Sequence, residues 1–232
     1  MIHTRPSSDS GPPHLAYTLT EGPRCALELA GLFISAPFLA FEPRGHGEKV
    51  IVLPGFSLDD HSTLVLRAYL TWLGYQAHAL GAGHNFGRRT FGEENQRLTK
   101  LVADIRGDDK VALIGHSLGG ALAREYAREH PAQVSRVITL GSPYAGDETS
   151  MPTPVVWLRR SLTSEDPYAT PDRSPLPVPH TAIFSESDGI VAAFDCRDES
   201  DGADNVVVVG SHVGLVINAQ VFRAIAERLA RD

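Results

Sequence analysis

The sequence predicts an α/β fold, an open and mostly parallel sheet covered by helices, on three observations. From Lys49 onward, short aliphatic runs alternate with longer segments patterned as helices, the order that parallel crossovers require. Runs such as VIVL at 50–53 are apolar at every position, which implies strands buried on both faces. The composition is that of one globular domain: 232 residues, 42% hydrophobic and 21% charged. Such a chain is long enough to bury a core without disulfide or metal staples.

Taken in order, residues 1–24 are polar and read as a mobile lead-in to a single domain over 25–232. They lack the basic start, apolar core and cleavage site of a secretory leader. Residues 25–41 (CALELAGLFISAPFLAF) are apolar and read as a helix packed on the domain. The stretch is shorter than the ~20 residues of a membrane span and carries Glu28, Gly31 and Pro37. A helix lying on a membrane is the rival reading, but the basic face such helices carry is missing. After the strand at 50–53, Asp59-Asp60 caps a helix reaching about Leu73. A second strand at 75–80 runs into the glycine-rich loop 81–87. A helix over 93–105 places Leu98, Leu101, Val102 and Ile105 on one face. Then come a strand at 111–114, a helix over 118–130, strands at 134–140, 180–184 and 206–209, and a closing helix over 214–230.

One stretch breaks the alternation. Eight of the 16 prolines lie between Pro143 and Pro179. This reads as an insertion after the fourth strand, too proline-rich for a helical subdomain.

Charge and cysteine usage narrow the function. Lys+Arg 21 against Asp+Glu 28 gives a net charge of −7, which argues against the basic stripe of a nucleic-acid binder. Cys25 and Cys196 allow one bridge at most, and a reduced cytosolic protein fits equally. The ten histidines form no HExxH, so no metal is expected.

Gly115-His116-Ser117-Leu118-Gly119 matches G-x-S-x-G. The string alone is weak, but here it follows an aliphatic strand and opens a helix, the sharp turn that lifts a serine Oγ above the sheet. Ser117 is therefore the candidate nucleophile, and it needs a base to take its proton. His180 and His212 lie downstream. His212 follows a strand, at the carboxyl end where such sheets place chemistry, and is preferred. His180 opens a strand and is the rival. Asp188, after the 180–184 strand, is the candidate acid, with Glu186, Asp195 and Asp147 as rivals.

The motifs GHSLGG at 115–120, VLPGF at 52–56, TLGSPYAG at 139–146, SDGIV at 187–191 and GSHVGL at 210–215 carry a likeness. Over roughly residues 49–229 the chain resembles bacterial α/β-hydrolases of the esterase and lipase type. The resemblance implies the α/β-hydrolase fold, with Ser117, Asp188 and His212 as nucleophile, acid and base. It implies an oxyanion hole from the N–H groups of Leu118 and Phe56, and a cap-like insertion over 144–179 covering the site. His116, Tyr144 and Trp157 are the expected substrate contacts, the substrate is a small-molecule ester, and no cofactor is needed. Pro54-Gly55 stands where lipases often have His-Gly, Val191-Ala192 where a proline usually follows the valine, and Tyr144 where many lipases have His. A helix before the first clear strand implies that the sheet lacks the family's first strands.

The expected reaction is hydrolysis of short to medium acyl esters through an acyl-enzyme. Action on longer lipids, acyl transfer and thioester hydrolysis are the alternatives on the same residues. A non-catalytic binding protein is the alternative of a different class.

Overall fold

The computed structural model describes residues 11–87, 95–144, 148–162 and 174–231. Six strands form one sheet: β1 Lys49–Leu53, β2 Gln76–Ala79, β3 Val111–His116, β4 Val134–Leu140, β5 His180–Ser185 and β6 Asp204–Val208. Their order is β2-β1-β3-β4-β5-β6, and every neighbouring pair is parallel. The fully aliphatic strands are central, as their composition predicts, because alternate residues enter cores on opposite faces. Val50, Val52, Ala112 and Ile114 pack with Leu66, Leu70, Phe222 and Ile225. Ile51, Leu53, Val111 and Leu113 pack with Leu98, Val102, Leu122 and Tyr126 on the other side.

The helices over those faces are α1 Leu15–Leu19, α2 Glu21–Leu39, α3 Leu64–Trp72, α4 Gln96–Arg106, α5 Leu118–Glu129, α6 Thr153–Leu162, α7 Ala193–Cys196 and α8 Ala219–Leu229. Asp59 and Asp60 act as expected at the start of the α3 region. Asp59 caps a 3-10 turn by accepting from the His61 amide at 3.0 Å. Asp60 accepts from the amides of Leu80 and Gly81, tying that turn to the end of β2. The chain passes from β1 to β2 on one side and then to β3 on the other. The carboxyl ends of β1 and β3 thus flank a switch point, where ligands of such sheets bind.

Three expectations need correction. The stretch 11–24, expected to be mobile, holds α1 and the start of α2, with Glu21 buried; residues 1–10 lie outside the described residues. Within α2, Leu32 and Leu39 face the domain while Leu27, Phe33, Ile34 and Phe38 are exposed. The insertion contains a ten-residue helix, α6. Pro154 falls in its first turn, where no intrahelical donor is lost, and the remainder, VVWLRRSL, is free of proline. Met151 and Val156 pack with Phe184, Val191 and Cys196, so this part is fastened to the domain. The closing helix starts at Ala219, after a 3-10 turn over Val213–Ile217. Asn218 makes the break, accepting from the amides of Gln220 and Val221.

Among the described residues, β1 is preceded by helices alone, and no helix is long and apolar enough to cross a membrane. Both cysteines are unpaired, Cys196 buried and Cys25 half-buried.

Candidate active site

Ser117 stands between β3 and α5 with φ 52° and ψ −123°. A non-glycine residue adopts such a backbone only where its surroundings enforce it. The β3–α5 turn is tight because the helix is drawn against the sheet. A Cβ at Gly119 would lie 2.5 Å from the Leu53 carbonyl oxygen, and one at Gly120 2.0 Å from Ser142 Oγ. The Ser117 amide donates to the Leu140 carbonyl at 2.8 Å, pinning the turn to the end of β4.

His212 and Asp188 leave the carboxyl ends of β6 and β5 and meet. His212 Nδ1 and Asp188 Oδ2 are 2.6 Å apart, with both side chains almost fully buried. The other carboxylate oxygen of Asp188 accepts from the amides of Ile190 and Val191, each at 2.8 Å. The acid is therefore held at both oxygens, and Nδ1–H of the imidazole is directed to it, leaving Nε2 as the basic nitrogen. Burial alone disfavours a charged His212, but the charge and hydrogen bond of Asp188 outweigh it, aided by Glu21, and raise its pKa. Gly141, at the end of β4, lies beneath this pair. A Cβ there would be 3.1 Å from His212 Nδ1 and 3.2 Å from Asp188 Oδ2, and its φ is +55°.

His116 is 1% exposed. Its Nε2 lies 3.0 Å from the His212 carbonyl oxygen, and the two rings are 5.0 Å apart at their centroids. Burial, with the neighbouring His212, pushes its pKa down to about 3, so the ring is neutral and Nε2–H donates. His116 thus braces the His212 loop through Nε2, and its Nδ1 is buried with no hydrogen-bond partner among the described residues. Tyr144 is buried as well. Its hydroxyl is 3.1 Å from His180 Nδ1 and the Arg124 guanidinium lies over its ring at 4.0 Å. Trp157, on α6, is exposed.

Leu118 is the first residue of α5, so its amide has no acceptor one turn back within the helix. Phe56 lies in the loop after β1, just before Ser57 and Leu58, whose amides donate to the carbonyls of Asn85 and Gly55. Asn85 Nδ2 also donates to the Pro54 carbonyl at 2.7 Å. The Phe56 ring packs edge-on against Phe86.

The rivals separate clearly. His180 also has a carboxylate partner, Asp198, at 2.6 Å, and its Nε2 lies 3.2 Å from Thr139 Oγ1. This set repeats the residue types of a hydroxyl–histidine–acid relay. However, Thr139 lies within β4 and is 1% exposed, so no substrate carbonyl reaches its hydroxyl. Asp195 is fully buried on α7, and its carbonyl accepts from the Tyr144 amide. Asp147 lies outside the described residues.

Sequence reasoning missed Glu21, which accepts from the His212 amide, and Glu28, which accepts from the Ser211 amide. Nothing in the polar lead-in, or in the apolar stretch that follows it, signals such distant partners. Gly141 was legible only as a glycine at a strand end. Among the described residues no cluster of His, Cys, Asp and Glu is arranged to hold a metal.

A family model described as the alpha/beta hydrolase fold matches residues 77–163. Over 74 residues, 32% of this chain, the sequence is 38% identical to a triacylglycerol lipase of Pseudarthrobacter phenanthrenivorans, and equally so to one of Burkholderia plantarii. The matches span 23% and 21% of those lipases' own lengths. The fold is similar to the crystal structure of polyneuridine aldehyde esterase, with a TM-score of 0.57 and 15% identity over 80% of this chain and 100% of that one.

Proposed function

We propose that the chain, which has the α/β-hydrolase fold and in part resembles lipases, hydrolyses carboxylic esters of short to medium acyl length. The observations that carry the reading are the buried His212–Asp188 pair at 2.6 Å and the strained strand-to-helix turn that holds Ser117. In the proposed reaction, His212 Nε2 takes the proton of Ser117 Oγ as the oxygen attacks the ester carbonyl. Asp188 orients the imidazole and stabilises its charged form. The N–H groups of Leu118 and Phe56 meet the developing oxyanion, each worth about 2.7–4 kcal/mol of barrier. The imidazolium then protonates the departing alcohol, and water, activated by the same nitrogen, releases the acid. No cofactor enters this scheme.

The acyl-length preference rests on the insertion. Its described helix α6 is short and fastened by Met151 and Val156 to the acid-loop side of the domain, which favours a small wall over a large movable cover. Trp157 remains as the proposed acyl contact on this helix. The test is a fluorophosphonate probe followed by a chain-length panel of activated esters. We expect labelling that disappears in Ser117→Ala, and turnover that falls beyond medium acyl chains. Absence of labelling in the natural protein would leave a binding role as the better reading. A sharp rise in rate at the onset of an emulsion would favour a lipase.

A further inference from the structure

The acid and the base both sit on loops, and one carboxylate from outside the sheet holds both loops. Glu21 opens α2 and is buried. Its Oε1 accepts from the amides of Gly189 at 2.9 Å and His212 at 3.0 Å, and its Oε2 accepts from the amide of Val213 at 3.0 Å. Gly189 directly follows Asp188, so a single side chain spans the acid loop and the base loop. The seat is closely fitted. Thr18 Oγ1 donates to the Gly189 carbonyl at 2.7 Å, and a Cβ on Gly189 would lie 2.6 Å from the backbone of Tyr17 and Thr18.

The neighbours of Glu21 on α2 reach the same loops. Arg24 donates to Ser187 Oγ at 2.9 Å and to the Gly210 carbonyl at 2.6 Å, and lies 3.8 Å from Glu21 Oε1. Two turns along, Glu28 accepts from the Ser211 amide at 2.5 Å and from Ser211 Oγ at 3.0 Å. We propose that Glu21 is a positioning residue of the active site, which fixes Asp188 and His212 relative to one another and adds a second negative charge favouring the His212 imidazolium. The proposal rests on reading Ser117, His212 and Asp188 as the reacting set. Three desolvated N–H donors on one carboxylate make a strong, directional clamp. The charged and titratable groups around His212 are Asp188 from the acid loop, His116 from β3, and Glu21, Arg24 and Glu28 from α2. The charge of Glu21 acts on His212 in the same direction as that of Asp188.

The test reads His212 itself. Glu21→Gln keeps the shape and one acceptor oxygen but removes the charge. In protein carrying isotope-labelled histidine, the imidazole signal lost in His212→Gln reports His212 without any substrate. We expect its titration midpoint to fall by roughly 0.5–1 pH unit in Glu21→Gln, and kcat on an activated ester to fall about 10- to 100-fold with little change in KM. Glu21→Asp, which keeps the charge on a shorter stem, should leave the midpoint in place while kcat still falls. An unshifted midpoint in folded Glu21→Gln would make Glu21 a structural brace only and overturn the proposal. Should that variant not fold, Arg24→Met decides, because it leaves Glu21 unshielded. The midpoint should then rise, and an unchanged or lower one overturns the proposal. If the natural protein hydrolyses no ester, the functional reading falls, while the titration still decides the role of Glu21.

Discussion

Ser117 lies in a backbone region that costs a non-glycine residue about 1–3 kcal/mol, at φ 52°. That cost separates stability from activity in a measurable way. Ser117→Ala keeps the Cβ and hence the strain, so its Tm should match the natural protein while ester turnover falls by several orders of magnitude. Ser117→Gly removes the strain as well, and we expect it to be equally inactive but more heat-stable. Equal Tm values for the two variants would show that the turn is not strained. Asp188→Asn should lower kcat strongly by misorienting His212, with Glu186→Gln as the near-silent control. The pH profile follows from the same residues. His212 must be neutral to accept a proton, and its pKa is raised above 6.5. The rate should therefore climb with pH along a limb whose midpoint lies above 6.5, and a midpoint below it in kcat/KM profiles would contradict the Asp188 partnership.

Among the elements, those with an internal signal were legible. The central strands β1 and β3 announce themselves as aliphatic runs, because burial on both faces leaves few polar positions to interrupt them. The break before α8 was not legible, because Gly214 to Ala230 keeps an apolar period through a 3-10 turn and a cap. Asn218 carries that break with two roles, since Oδ1 caps the helix and Nδ2 donates to the Val209 carbonyl at 2.9 Å. We expect Asn218→Ala to cost about 1–2 kcal/mol in denaturant unfolding. Helix α8 supplies Phe222 and Ile225 to the core on one face of the sheet, so the loss should appear as global destabilisation. A value below a few tenths of a kcal/mol would mean that the helix start needs no side-chain cap. The role of α1 and α2 was hidden for another reason. Glu21 and Arg24 bind backbone atoms near residues 189 and 210–213, and only the folded topology brings those together.

At the scale of the whole molecule, the candidate site was legible as residue types placed after strands, whereas its supports were not. His116 illustrates the difference, since its buried ring holds the His212 loop, a partner that no local pattern announces. That burial has a consequence for stability. His116 is held neutral with a pKa of about 3 against 6.5 for an exposed histidine. Between those values the unfolded chain binds a proton that the folded chain refuses, so acidification through this window favours unfolding. His180 is shifted downward too, burial being the main cause, and adds a loss of the same sign. His212, raised instead, contributes stability that is present below 6.5 and lost as pH rises through its folded pKa. Together these three histidines favour the folded state most near pH 6.5. One such group changes the unfolding free energy by at most about 1.4 kcal/mol per pH unit. We expect urea midpoints to fall steadily on acidification below about pH 6.5. His116→Gln keeps a donor for the His212 carbonyl and removes the titration, so it should flatten that acid slope while leaving the midpoint at neutral pH nearly unchanged. An acid slope as steep in His116→Gln as in the natural protein would show that His116 accepts its proton in the folded state, and that the ring beside Ser117 is open to water.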